Sequence, residues 1–350
     1  MSNSRWKVRP AGSNWGDFGP DDELGRLNLL TPAKVLEGLA EVKEGKTFCL
    51  SLPLNVPGQQ GSTSHRRAPR LRPTVMKGKP LFNFAMAGEK PGVTDVVSDD
   101  EVLLNLQYST QWDGLSHVGQ MFDVNGDGVP RPVYYNGFRA GVDILGPACC
   151  ARHPVGASGD DADHMGALRL GIENMAAACV QGRAVMIDLE KHYGRARHAV
   201  GYRALAEIMA RDGIEVRQGD MLCVYTGFGD VLLETYPRSD SQKLDQTPAI
   251  DGSDPELLQW ITDSGVAAIV SDNATVEFRH QPAVLSHSGS YLPLHEHCLF
   301  KLGIHLGELW HLGELARWLR ERGRSAFLLT APPLRLPGAV GSPSTPVATA

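Results

Sequence analysis

Residues 183–189 read Arg-Ala-Val-Met-Ile-Asp-Leu, with four apolar side chains in unbroken succession. A half-exposed strand alternates apolar and polar residues, so an unbroken run of this length marks a strand buried on both faces. The run is not alone. GYRALAEIMAR at 201–211 has helical spacing, turns at Asp212-Gly213 and Gly219-Asp220 follow, and MLCVYTG at 221–227 is a second buried strand. Residues 257–264 read as helix, VAAIVS at 266–271 as strand, 313–322 as helix stopped by Gly323, and AFLLT at 326–330 as strand. Toward the N-terminus, Thr31 is placed to cap a helix that opens with Pro32, with Gly45 beyond its end. Strands are expected at 47–54 and 101–109, and a long helix at 165–180. Buried strands alternating with helices predict an α/β fold, a mixed or parallel sheet covered by helices. The expected organisation is one domain over 1–350, with residues 1–45 as N-terminal extension and helix. The segment 332–350, rich in Pro, Gly, Ser and Ala, reads from composition as a flexible end.

Composition narrows the function. Lys+Arg 34 against Asp+Glu 40 gives a net charge of −6, opposite in sign to what a nucleic-acid groove or an anionic membrane attracts. With 42% hydrophobic and 21% charged residues the chain has enough apolar material for a large core. No apolar stretch is long enough to span a bilayer. The opening MSNSRWKVRPAGSNWGDFG has no signal-peptide core, so a cytoplasmic protein with reduced thiols is expected. Its six cysteines form no CxxC pair and read as small buried hydrophobes, Cys149-Cys150 being the one adjacent pair.

Serine-hydrolase elbows, phosphate loops and dinucleotide fingerprints are missing. Asp123-Val-Asn-Gly-Asp127-Gly128 imitates a calcium loop, but its twelfth position is Tyr134 where a bidentate Glu is needed, so it reads as a polar surface turn. The informative stretch is Gln107-Tyr-Ser-Thr-Gln111-Trp-Asp113-Gly-Leu-Ser-His117. Asp and His offer a hard oxygen and a borderline nitrogen, the usual set for zinc or manganese. The same residues also suit a structural role, Asp113 capping a helix and His117 packing on Trp112. Downstream, His287, His295, His297, His305 and His311 place five of the 12 histidines within 25 residues, and no basic tract explains them. His305 and His311 read as helix-edge or surface residues. A chain that brings His295 and Glu308 up to Asp113 would build an open mixed N/O site able to activate water.

The first stretch resembles the HxGTHxDxPxH signature of the cyclase family of metal-dependent hydrolases, which includes kynurenine formamidase and isatin hydrolase. Gln107 and Gln111 stand where that pattern has histidines, and Thr110, Asp113 and His117 match it. The variant QxxxQWDxxxH is similar to the branch containing trans-dienelactone hydrolase. WGDFGPDDELGRLN, YYNG at 134–137, HMGALRLGIENM at 164–175, SDNATVE at 271–277, PLHEHCL, GIHLGELW and LRLPGAVGSP extend that resemblance over nearly the whole chain.

The resemblance implies a swivelling β/β/α domain, a homodimer or higher oligomer, a small-molecule substrate and an ordered segment at 334–343. It also implies metal-ligand places at Gln107, Gln111, Asp113, His295 and Glu308, with His297 as an alternative to His295, and a catalytic acid/base at His117. An amide oxygen is a weaker zinc donor than imidazole. One ion rather than two, a harder ion such as manganese, or glutamines turned toward substrate all follow as options. The expected activity is opening of a small lactone or cyclic amide, with an arylformamide second and a metal-free ligand-binding or non-hydrolytic cyclase third. Arg152, His153 and Arg195 are candidates to pair a substrate carboxylate.

Overall fold

The buried runs become neighbours in one sheet. A computed structural model describes residues 5–58, 65–146, 165–237 and 246–350. Nine strands make the main sheet: β1 Thr47–Cys49, β2 Gln111–Asp113, β3 Gln181–Asp188, β4 Met221–Tyr225, β5 Ala268–Ser271, β6 His305–Glu308, β7 Ala326–Thr330, β8 Gly341–Pro343 and β9 Val347–Thr349. Their spatial order is β1-β9-β7-β3-β4-β5-β6-β2-β8. β3, β4, β5 and β6 run parallel, and antiparallel pairs flank them on both sides. The architecture is therefore a mixed α/β sheet, as the alternation of runs predicts. Among the described residues, no helix is long and apolar enough to cross a membrane.

Successive residues of the central strands feed two cores, as the period of two requires. Ile187, Leu222, Val224, Ile269 and Leu306 pack with Leu205, Ile208, Leu257 and Ile261 from helices Tyr202–Asp212 and Pro255–Ser264. Met186, Met221, Cys223, Tyr225, Ala268 and Val270 face the other way, onto Leu315, Ala316 and Leu319 of helix Gly313–Glu321. Helix Pro32–Ala40 begins as expected, with the Thr31 side chain accepting from Lys34 N.

Several expectations need correction. The long helix over 165–180 is a short strand at Gly166–Ala167 and a helix only over Ile172–Ala177. Gly166–Ala167 pairs with Ile144–Leu145, and Leu170 takes a positive φ while its N–H donates to Glu23 Oε2 at 2.6 Å. The strand expected over 101–109 is exposed and spans Asp100–Leu103; a turn follows, and the buried strand is Gln111–Asp113 itself. That over 47–54 shortens to Thr47–Cys49. The tail is not loose, since β8 and β9 both lie in the main sheet. Cys223 and Cys298 are buried, whereas Cys49 and Cys179 are exposed. Cys149, Cys150, Arg152 and His153 lie outside the described residues. The calcium-like stretch is a surface turn in which Asp123 accepts from the backbone N–H groups of Gly126, Asp127 and Gly128, and Asp127 pairs with Arg131.

One buried ionic knot ties the N-terminal helix to the sheet. The carboxylate of Asp220, fully buried, accepts from Lys34 Nζ at 3.2 Å, from Arg183 Nη1 and from Arg217 N at 2.8 Å. Removing the carboxylate leaves buried Lys34 and Arg183 with only the partly exposed Glu37 and Glu41 as partners, so Asp220→Ala is expected to cost about 3–5 kcal/mol in urea unfolding. An unchanged unfolding midpoint would show that the knot contributes nothing net.

Candidate metal centre

Register places the central side chains. In the antiparallel pair β6/β2, Glu308 stands opposite Gln111 and Leu306 opposite Asp113. Residues two apart on a strand share a face, so Gln111, Asp113, Leu306 and Glu308 all emerge on one side of the sheet. Trp112 emerges on the other side, with its ring 5.0 Å from that of Trp310 in an edge-on contact. Trp310 Nε1 donates back to the Gln111 carbonyl at 3.1 Å. Gly307 is glycine because its Cβ would lie 2.8 Å from that indole nitrogen. Thr110 ties the two strand ends together: its Oγ1 donates to the Leu309 carbonyl at 2.6 Å and accepts from Leu52 N at 2.8 Å.

His295 arrives from a separate element. Pro293 opens a helical turn that widens to a π-helix over Glu296–Leu302 and stops at Gly303, where φ is +61°. Glu277 seats this turn, accepting from Leu294 N at 3.0 Å, His295 N at 3.2 Å and His295 Nδ1 at 2.7 Å. With Nδ1–H donated to Glu277, Nε2 is the ring nitrogen that faces the sheet. It lies 3.3 Å from Glu308 Oε1 and 3.8 Å from Asp113 Oδ2. Gln111 Nε2 donates to Glu308 Oε2 at 2.8 Å and to Asp113 Oδ1 at 3.3 Å. His117, on the turn after β2, is partly exposed, with Nε2 3.7 Å from Asp113 Oδ1.

The electrostatics of this cluster call for positive charge. Burial disfavours an imidazolium at His295, yet hydrogen bonds to Glu277 and Glu308 outweigh it and raise its pKa to about 10. Glu308 is pushed up to about 7, by burial first and by Asp113 second, against the pull of His295. His117 falls below the ordinary histidine range because lost hydration outweighs the attraction of Asp113. Two buried oxygens, Asp113 Oδ2 and Gln111 Oε1, have no hydrogen-bond partner. Donor atoms of Asp113, His295 and Glu308 lie within 4.8 Å of one another. An imidazole nitrogen and two carboxylates converging with an unpartnered oxygen between them fit a divalent cation of the zinc or manganese kind.

The structure thus brings together Gln111, Asp113, His117, His295 and Glu308. No hydrogen bond joins the Gln107 side chain to this cluster; its Nε2 is buried without a partner. His297 turns away, held through Nε2 by Thr262 Oγ1 at 2.9 Å and lowered to about 4 by burial. His305 is not a surface residue: it is buried within β6, and burial lowers it to about 3. His311 is half-buried near Asp230, and Arg195 is clamped by both oxygens of Glu234.

Sequence reasoning missed Glu277 and Asn273, although both lie in the quoted segment SDNATVE. Val276 and Leu309 adopt left-handed backbone, φ 56° and 57°, directly before Glu277 and directly after Glu308. A β-branched residue there is a rare outlier. Asn273 restrains both: its Nδ2 donates to the Val276 carbonyl at 3.2 Å, and its own carbonyl accepts from Leu309 N at 2.9 Å.

A sheet of this topology with a buried carboxylate–imidazole cluster at one edge defines a class of α/β protein built around a candidate metal centre. Residues 50–278 match the profile of the Cyclase family, described as "Putative cyclase". The chain belongs to the cyclase family. Among solved structures, it is similar to the crystal structure of a novel cyclase at 27% identity and TM-score 0.72, covering 97% of this chain and 99% of that one. It shares its fold with isatin hydrolase A from Ralstonia solanacearum, at 13% identity and TM-score 0.52 over 91% of this chain and 97% of that one. The same holds for isatin hydrolase A from Labrenzia aggregata bound to benzyl benzoate, at 12% identity and TM-score 0.51 over 90% and 97%. No curated protein matches the chain. His295 and Glu308 lie beyond the stretch that the family profile matches.

The carboxylate behind His295 gives a direct test. Glu277→Gln removes the charge that fixes the imidazole, and losses of this kind weaken metal binding by about 10–100-fold. Zinc or manganese titration of the purified variant should show that fall; wild-type affinity would mean that Glu277 serves the helix turn alone.

Proposed function

We propose that the protein is a metal-dependent hydrolase that opens a small lactone or cyclic amide. The observation that carries this reading is the convergence of Asp113, His295 and Glu308 beside a partly exposed histidine, His117, whose Nε2 lies 3.7 Å from Asp113 Oδ1. Asp113, His295 and Glu308 would hold one divalent ion, zinc first and manganese second. Such an ion supplies Lewis acidity, polarising a carbonyl and bringing the pKa of water toward about 7.

The chain's own residues supply the rest. His117 is kept neutral near pH 7 by its lost hydration, so Nε2 is free to accept a proton. It takes that proton from the water that attacks the scissile carbonyl and returns it to the departing ring oxygen or nitrogen. Asp113 Oδ1, 3.7 Å from Nε2, stabilises the imidazolium formed between the two transfers. Glu277 keeps His295 in the tautomer that presents Nε2. Gln111 cross-links Asp113 and Glu308 and holds their spacing. Leu115 and Leu306, fully buried beside the cluster, exclude bulk water from its inner side.

His117→Ala is expected to cut turnover of a lactone or cyclic amide by roughly 100-fold or more while bound metal stays at the wild-type level. Turnover within a few-fold of wild type would remove His117 from the reaction. A second measurement addresses the cation itself: elemental analysis of untagged, unsupplemented protein should find about one zinc or manganese per chain, and Asp113→Asn should lose it. Sub-stoichiometric metal, with activity indifferent to chelator, would favour a metal-free member of the same fold.

A further inference from the structure

Just past the end of β5, the chain is fastened to the sheet before it turns toward Glu277. Ser271 Oγ donates to the Val224 carbonyl at 3.0 Å. The buried Asp272 carboxylate accepts from Thr226 N at 2.8 Å, Thr226 Oγ1 at 2.7 Å and Gly229 N at 3.1 Å. From this fixed root the buried Asn273 reaches in two directions. Its amide oxygen accepts from Thr275 N at 3.3 Å, and its amide nitrogen donates to the Val276 carbonyl at 3.2 Å. Its main-chain carbonyl accepts from Leu309 N at 2.9 Å.

These bonds close a ring of contacts around the candidate metal centre. Val276 leads into Glu277, which accepts from His295 Nδ1 at 2.7 Å. His295 Nε2 lies 3.3 Å from Glu308 Oε1, and Leu309 leads back to Asn273. An imidazole is rigid, so it bridges two carboxylates only when they stand at one separation. The backbone at Val276 and Leu309 sets that separation, and both residues are left-handed, with φ 56° and 57°. Residues other than glycine keep that conformation only where surrounding bonds enforce it. Leu309 has a second restraint, its carbonyl accepting from Thr110 Oγ1 at 2.6 Å. Substitution at 273 removes the amide and leaves the main-chain bond to Leu309, so it should loosen Glu277 and His295 before it disturbs Glu308.

We infer that Asn273 is a positioning residue for the metal centre. By fixing Glu277 relative to Glu308 it sets where His295 Nε2 points, and hence how tightly a divalent ion is held. This rests on the metal-dependent reading above. Both ends of the Asn273 amide are engaged with the backbone, so its effect on an ion passes through His295. A purely structural role predicts lower stability when the amide is lost. Positioning predicts a change at His295 as well.

The test compares the full-length wild type with Asn273→Ala, Asn273→Asp and a stability control remote from the centre, Asp220→Asn. Calorimetric titration of metal-free protein with zinc or manganese chloride reads affinity. Nuclear magnetic resonance on metal-free protein with isotope-labelled histidine reads the His295 Nδ1–H signal, assigned by its loss in His295→Gln. Both Asn273 variants should bind zinc about 10-fold or more weakly and broaden or lose that signal, whereas Asp220→Asn should lower the melting temperature and change neither. Asn273→Asp keeps the shape of the side chain should the alanine variant fail to fold. It also adds a negative charge, so weaker cation binding there separates position from electrostatic attraction. An unchanged affinity and His295 signal in the folded Asn273 variants, or equal changes in Asp220→Asn, overturns the assignment. If wild type binds neither metal, the metal-dependent reading fails on its own, and the His295 signal alone decides the role of Asn273.

Discussion

The centre of this molecule is organised by one costly arrangement, two carboxylates buried side by side on the same face of a sheet. Asp113 and Glu308 are both almost wholly buried, and a carboxylate moved from water into protein without partners is strongly disfavoured. The register of two short strands nevertheless forces them together, because Glu308 opposite Gln111 leaves Asp113 on the same face one pair further along. Everything adjacent reads as a response. Gln111 lends both carboxylates an amide N–H, His295 is driven toward its charged form, and a third carboxylate, Glu277, holds the imidazole in place. Like charges packed this way persist where a cation is part of the working state.

Holding three acidic side chains at fixed separation requires a stiff backbone, and the stiffness is visible as strain. Residues in left-handed conformation without glycine's freedom cost on the order of 1–3 kcal/mol each. Here two of them, Val276 and Leu309, bracket the site, and Asn273 restrains both through one side-chain and one main-chain hydrogen bond. Glu277 and Glu308 are therefore not independently mobile. Asn273 and the imidazole of His295, which reaches both carboxylates, couple the seat of His295 to the strand bearing Glu308. Thr110 adds a second restraint by accepting from Leu52 and donating to Leu309.

Much of the fold was legible in the sequence because the parallel strands β3, β4 and β5 are uninterrupted apolar runs separated by helices with good caps. β2 was not. It has three residues, two of them polar, and its burial comes from neighbours distant in sequence rather than from its own hydrophobicity. The stretch 165–180 has a helical stripe, but Gly166–Ala167 is recruited by Ile144–Leu145 and Leu170 by Glu23, tertiary bonds that no local pattern announces. Composition misread the tail for a similar reason: Ala348 and Ala350 are small yet fully buried, and three sheet pairings hold the segment. At the site, Asp113, His117, His295 and Glu308 stood out as residue types in a pattern, whereas Glu277 is recruited through position alone, and position is set by the fold.

Gln111 shows how the chemistry depends on which atom of a side chain faces the cluster. Its amide nitrogen lies 2.8 Å from Glu308 and 3.3 Å from Asp113, while its oxygen is buried with no partner. Turning the amide over would set an oxygen against two carboxylate oxygens, exchanging two attractions for two repulsions. The carboxylates therefore fix the amide as a donor toward themselves. In that orientation Gln111 is a cross-link between Asp113 and Glu308, the two carboxylates proposed to hold a cation with His295. Three protein donors leave further coordination positions open, the condition that separates a site where water and substrate gain access from one that is purely structural. A neutral glutamine at this place also adds no further negative charge to a buried environment that already holds Asp113, Glu308 and Glu277.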